Sequence, residues 1–211
     1  MKCFLRLGVF TIFFLICGCK TTKITKSAGI LSLTKSDVIL INTLPVEGYQ
    51  AVRLYKSAKE KLTKAGIKEV IYLPEVEFQL LASGIKYDDL KTVPLKESTR
   101  NRISEVLDVD YILEAKLNKV KPGSTFGYVS SNSDLQKKDP TTSEAELEFL
   151  VSNLENSALD YKFSVSTTIS GFGYQDDDGD MRLVNLSSSQ ISILSKSFDD
   201  GVKEITKSVI D

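Results

Sequence analysis

Glu144-Ala145-Glu146-Leu147-Glu148-Phe149-Leu150-Val151 alternates between two kinds of side chain, with Leu150 as the one departure. Ala145, Leu147, Phe149 and Val151 point one way, and Glu144, Glu146 and Glu148 point the other. A period of two is the signature of a strand with one dry and one wet face. After Leu154-Glu155-Asn156-Ser157 the alternation resumes through Leu159, Tyr161, Phe163 and Val165. Two such segments around a short polar turn predict an antiparallel hairpin.

Upstream of the hairpin, Lys121 to Ser143 carries Pro122, Gly123, Gly127 and Pro140 among many Ser, Thr and Asn residues, which reads as a long loop. Loops of that length in compact domains are usually functional or disordered. Further back the pattern is strand then helix. Val38 to Leu44, Val70 to Leu73 and Tyr111 to Leu117 are β-branched or apolar runs too short for helices. Between the first two lies an amphipathic stretch, Tyr49 to Ala65, with Ala51, Leu54, Tyr55, Ala58, Leu62 and Ala65 on one face and Gly66 as its stop. Glu75 to Ser83, a turn at Tyr87 to Lys91, and Ser98 to Leu107 with Ile103, Val106 and Leu107 inward supply further helix. Downstream, Gly171 to Arg182 reads as a second loop. A long helix follows from Ser188 to Ile210, striped by Ile191, Leu194, Phe198, Val202, Ile205 and Val209. The expected fold is mixed α/β. A single mixed sheet of about five strands, in the order β-α-β-α-β-β-β-α, has helices packed on it.

The start of the chain is an address. Lys2 and Arg6 precede an uncharged, mostly apolar run from Leu7 to Ile16, and Leu15-Ile16-Cys17-Gly18-Cys19 ends it. Positive start, short apolar run and small residue before the cut are the parts of an export signal. The run is well short of the roughly 20 residues that span a bilayer. With Ile16, Cys17 and Gly18 ahead of Cys19, this resembles the lipobox of bacterial lipoproteins. That resemblance implies cleavage before Cys19 and acylation of its sulfur and new amine. The expected organisation is a signal peptide at 1–18, a lipid-anchored flexible tether at 19–36 and one domain at 37–211. The alternative within the tether is a short strand at Ile30-Leu31-Ser32-Leu33. Lys20 at the position after the cysteine, rather than an inner-membrane-retaining Asp, points to the outer membrane.

Composition bounds the chemistry. Cys3 and Cys17 leave with the signal, so Cys19 has no intramolecular disulfide partner. Lys2 and Arg6 leave too, and the 27 basic residues fall to 25 against 28 acidic ones. No basic surplus points to nucleic acid. The chain has no histidine, which removes the commonest general base and metal ligand, and no tryptophan.

Spacing separates the candidate sites. Asp176-Asp177-Asp178-Gly179-Asp180 fails the calcium-loop pattern: with Gly179 at the sixth position, Tyr174 takes the first and Asn185 the twelfth. Glu144, Glu146 and Glu148 read as the wet face of a strand, and Ser187-Ser188-Ser189 as a helix cap. No catalytic, cofactor-binding or metal-ligating residue is expected. Phe126 and Tyr128, aromatics in the long loop, are the candidate contact for a partner protein.

The element order carries a second resemblance. Val38 to Pro45, Val70 to Pro74, a helix ending in Ser104 to Leu113, and the hairpin Glu146 to Phe163 are similar to a fold of several envelope proteins. These are the amino-terminal domain of TolB, the lipoprotein activators of penicillin-binding proteins, and the periplasmic domain of the curli-secretion lipoprotein. Taken together, the sequence leads one to expect a lipid-anchored cell-envelope protein. It would be a non-enzymatic binding or accessory module, held to the membrane through Cys19 and meeting another envelope protein. The alternative is a subunit of an oligomeric secretion complex resembling the curli-secretion lipoprotein.

Overall fold

The computed structural model describes residues 20–121, 142–156, 160–170, 172–175, 181–184 and 189–210. For residues 172–175 and 181–184 the backbone alone is described. The main sheet has six strands in the order β1-β6-β5-β4-β2-β3. These are β1 (Lys20–Ala28), β2 (Val38–Thr43), β3 (Glu69–Tyr72), β4 (Tyr111–Lys121), β5 (Thr142–Asn153) and β6 (Tyr161–Ser170). The helices are α1 (Gly48–Ala65), α2 (Leu73–Ala82), α3 (Tyr87–Leu90), α4 (Glu97–Leu107) and α5 (Gln190–Thr206). A separate ribbon pairs β7 (Phe172–Gln175) with β8 (Met181–Val184), occupying part of the stretch expected to be loop and running two residues past its end. The mixed α/β expectation holds, with one strand more in the main sheet than the five expected.

The sheet has two halves. β2 lies between β3 and β4 and is parallel to both. Its first five residues, Val38 to Asn42, are all buried, as a strand covered on both faces requires. β4, β5, β6 and β1 continue as an antiparallel run. The alternation quoted above is realised: Ala145, Leu147, Phe149 and Val151 are buried, as are Tyr161, Phe163 and Val165 opposite or beside them. They meet α1 and α5 in the larger core. Phe149 stacks on Phe163 at 4.9 Å and on Phe198 of α5 at 5.8 Å between ring centroids. A smaller core on the opposite face joins Val38, Leu40 and Ile112 to Leu80, Leu90 and Ile103 from α2, α3 and α4.

Local chemistry sets the joints. α1 ends at Gly66, whose φ of 109° is the left-handed cap only glycine adopts freely. α4 ends at Asp108 with φ 51°, a conformation that Asp tolerates better than most residues. Two residues on, Asp110 Oδ2 accepts from Val38 N at 2.7 Å, and Asp110 N donates to Val38 O at 3.0 Å. The Leu107 to Leu113 motif therefore latches the start of β4 to the start of β2. Ser189 caps α5 by accepting from Ser192 N at 3.2 Å.

Two expectations change. Residues 20–28, read as flexible tether, form the edge strand β1, antiparallel to β6 from Lys20↔Ile169 to Ala28↔Lys162. The chain then buries Leu31 and Leu33, and Leu33 bridges to Val209 beyond α5. Residues 20–28 thus belong to the sheet, ahead of the expected domain start at Asp37. On α5 the buried stripe runs through Ile193, Leu194, Phe198, Val202 and Ile205, while Ile191 is 42% exposed. At 100° per residue Ile191 is in line with Phe198 and Val202, but it stands in the helix's first turn, and the buried face widens instead toward Ile193 through Ser197, Gly201 and Glu204.

Candidate functional site

Cys19, Phe126 and Tyr128, the residues expected to carry the anchor and the partner contact, lie outside the described residues, as do the acidic run 176–180 and Ser187 and Ser188. What the structure describes is where the flanking chain enters and leaves the sheet. Lys20 begins β1 opposite Ile169; Thr142 begins β5 opposite Ser170; Lys121 ends β4 opposite Glu144. The segment after Cys19 and both ends of segment 122–141 therefore meet at one end of the antiparallel half. Ser170, the last residue of β6, stands there too.

The three glutamates of β5 occupy the sheet face opposite the large core, as their spacing implied. Each is only partly exposed, because charged neighbours cover it. Glu144 pairs with Lys119 at 2.8 Å, and Glu148 with Lys162 at 3.0 Å. Across the strands the rows read Thr21-Thr168-Glu144-Lys121, Lys23-Ser166-Glu146-Lys119 and Thr25-Ser164-Glu148-Lys116. Such alternating cross-strand charges stabilise a hydrated sheet surface.

Sequence reading missed a buried polar cluster beneath the start of α4. Glu114, in the apolar strand β4, is 2% exposed. It accepts from Asn42 Nδ2 at 2.8 Å and from Leu95 N at 3.4 Å. Burial pushes its carboxyl above the usual range, against the pull of those donors and of the Arg100 charge. Beside it Arg100 of α4 donates to Asp160 at 2.7 Å, and Ser152 donates to the same carboxylate at 3.4 Å. Asn42 Oδ1 and Asp160 Oδ1 are buried without a partner. The signal was present in the sequence: an acid between Leu113 and Ala115 interrupts an apolar run.

Arg100 also lines a shallow groove of about 380 Å³ with Glu97, Asn101, Glu105, Asn153, Leu154 and Glu155. Its wall is polar with a single large apolar side chain, unlike the mostly apolar pockets that enclose small molecules. Glu114 is closed off from solvent and is absent from that wall. The arrangement ties α4 to the β5–β6 connection and holds a carboxyl whose pKa burial raises. Among the described residues, no three or more cysteine or acidic side chains gather as a metal site requires. Among them too, no helix is long and apolar enough to cross a membrane.

No protein-family model matches the chain, and no curated protein sequence matches it. Solved structures overlap it loosely. A point variant of PelC from Paraburkholderia phytofirmans, a dodecamer, is 13% identical over 88% of this chain and 99% of its own, with a TM-score of 0.46. Lipoprotein GNA1162 from Neisseria meningitidis is 14% identical over 82% of this chain and 99% of its own, with a TM-score of 0.43.

Proposed function

We propose that the chain is a lipid-anchored cell-envelope protein acting as a non-enzymatic binding or accessory module, held by acyl groups on Cys19 and meeting another envelope protein through segment 122–141. The observation that supports it is the convergence at one end of the sheet. The strand following Cys19 and both exits of the segment bearing Phe126 and Tyr128 leave the same edge of a rigid antiparallel platform. A platform of that kind positions a long connection without taking part in chemistry. Stable anchoring takes two or more membrane signals, and a multiply acylated cysteine supplies them.

The test is capture in intact cells. Crosslinking followed by mass spectrometry is compared for the natural chain, Cys19→Ser, and a Phe126→Ala/Tyr128→Ala double variant. The expected outcome is that C19S leaves the membrane fraction in high salt. The aromatic double variant should stay in the membrane, keep its melting temperature and lose a partner. A C19S protein that still floats with membranes sinks the anchor; an unchanged partner set sinks the contact.

A further inference from the structure

We infer that the sheet end carrying Lys20, Lys121, Thr142 and Ser170 is a membrane-facing surface seated directly on lipid headgroups. This reading rests on the acylation of Cys19 proposed above. Consecutive Cα atoms lie about 3.8 Å apart across a peptide bond, so Cys19 is one such step from Lys20. Lys20 is no spacer: it is in register with Ile169, and its Nζ is 2.7 Å from Asp200 Oδ2 on α5. Thr22, two residues on, donates to the same carboxylate at 2.9 Å. No length of free chain then separates the acyl groups from the folded sheet.

Register identifies what else is brought to that surface. Lys121 ends β4 opposite Glu144, and Thr142 and Ser170 are cross-strand partners, at the same end as Lys20↔Ile169. The opposite end holds Tyr111↔Asn153, with Asp110 and Glu155 just beyond the strands. Ten residues of β4 separate the two ends, roughly 33 Å at the rise of a strand. A domain fixed by its near end holds Glu155 beyond the reach of the headgroups.

The experiment uses the full chain, acylated in a bacterial host and reconstituted into vesicles of phosphatidylethanolamine and phosphatidylglycerol with a headgroup spin-labelled lipid. After processing, Cys19 is the only native cysteine and its sulfur is acylated. Lys121→Cys and Glu155→Cys each add a single labelling site at an exposed position. A fluorophore at Lys121→Cys should be quenched several-fold more strongly than one at Glu155→Cys. Equal quenching at both, or none at either in protein that floats with the vesicles, overturns the seating and leaves the anchor standing. Protein that fails to float overturns the acylation and the seating with it.

Discussion

Gly201 stands where α5 crosses β5, and its missing side chain is what lets the helix approach. A Cβ built there would lie 2.2 Å from the Phe149 ring. That ring cannot move aside, since it is fully buried and stacked against Phe163 and Phe198. Alanine is otherwise the better helix former by about 1 kcal/mol, but overpacking a filled core costs about 1–3 kcal/mol. Gly201→Ala should therefore lower stability by up to about 2 kcal/mol net, read as a shifted urea midpoint, and adding Phe149→Leu should recover part of the loss relative to F149L alone. Glu114 makes a second residue-scale argument, with the opposite sign to ordinary acid denaturation. Its folded carboxyl titrates above its unfolded value of 4.5 because burial disfavours the charge. The folded state binds the extra proton, so this group's contribution is present at low pH and is lost as pH rises from 4.5 through the folded value. Glu114→Gln keeps an acceptor for Asn42 and removes the charge. Melting temperatures against pH should converge for the two proteins on the acid side, with the variant more stable near neutrality; identical curves would show that the carboxyl carries no such cost.

At the scale of elements, β1 shows how a strand can hide in a sequence. Lys20-Thr21-Thr22-Lys23-Ile24-Thr25-Lys26-Ser27-Ala28 has the composition of a tether, and Ile24 is its single large apolar residue. It is legible as a strand only beside its neighbours. Thr22 and Ile24 lie over the half-covered edge of β6, and lysines guard the outer edge as they do on many edge strands. The hairpin β5–β6 and α1 were legible because their periodicity is internal: each carries its own buried face. The Glu114 cluster was not, since Asn42, Leu95, Arg100 and Asp160 come together only through the sheet order. The fastening of β1 is correspondingly ionic. Lys20 and Thr22 reach Asp200, and Lys26 reaches Glu204 at 3.1 Å. For Asp200 burial works upward, but the hydrogen bonds and charge of Lys20, with Thr22 and Lys203, hold it below its ordinary value. Lys207 first, with Lys26, does the same for Glu204 against its burial. These folded carboxyls titrate below their unfolded values of 3.8 and 4.5, so their stabilisation is full above those values and is lost as pH falls from them through the lower folded values. Asp200→Asn with Glu204→Gln should speed amide exchange across β1 by roughly two- to fivefold, discounted as partly exposed pairs require. Exchange in β4 and β5 should not change, and a uniform rise across the sheet would show that the pairs do not act on β1 selectively.

The whole molecule is a sheet covered unequally, and that inequality should set the order in which it opens. β2 and the first part of β4 lie between two cores, with α1 and α5 on one side and α2 and α4 on the other. β5 and β6 bury one face and present Ser, Thr, Glu and Lys on the other. β1 buries little at all, with no residue fully enclosed along its length. Apolar burial stabilises at about 25 cal/mol per Å², so protection should fall from β2 and β4 to β5 and β6 and then to β1. Local opening energies span from near zero to the full unfolding free energy along such a gradient. Native-state hydrogen exchange with increasing denaturant should show β1 amides exchanging by opening that exposes little surface, while Leu40, Ile112 and Leu113 exchange only with global unfolding. The Arg100–Asp160 pair crosses this gradient, tying α4 above the small core to the β5–β6 connection. Its side chains are 13% and 25% exposed, so removing the guanidinium strands a half-desolvated carboxylate. Arg100→Ala should then cost about 1–3 kcal/mol and lower the protection of α4 together with the ends of β5 and β6. If α4 loosens alone, the two layers are not coupled through that pair. Because β1 encloses no residue along its length and is also the strand that follows Cys19, an anchored domain is pulled at a thinly buried element. Exchange in β1 measured on acylated protein in vesicles, against detergent-free C19S, shows whether the membrane attachment steadies that strand or frees it. Seating at the headgroups requires that it be steadied.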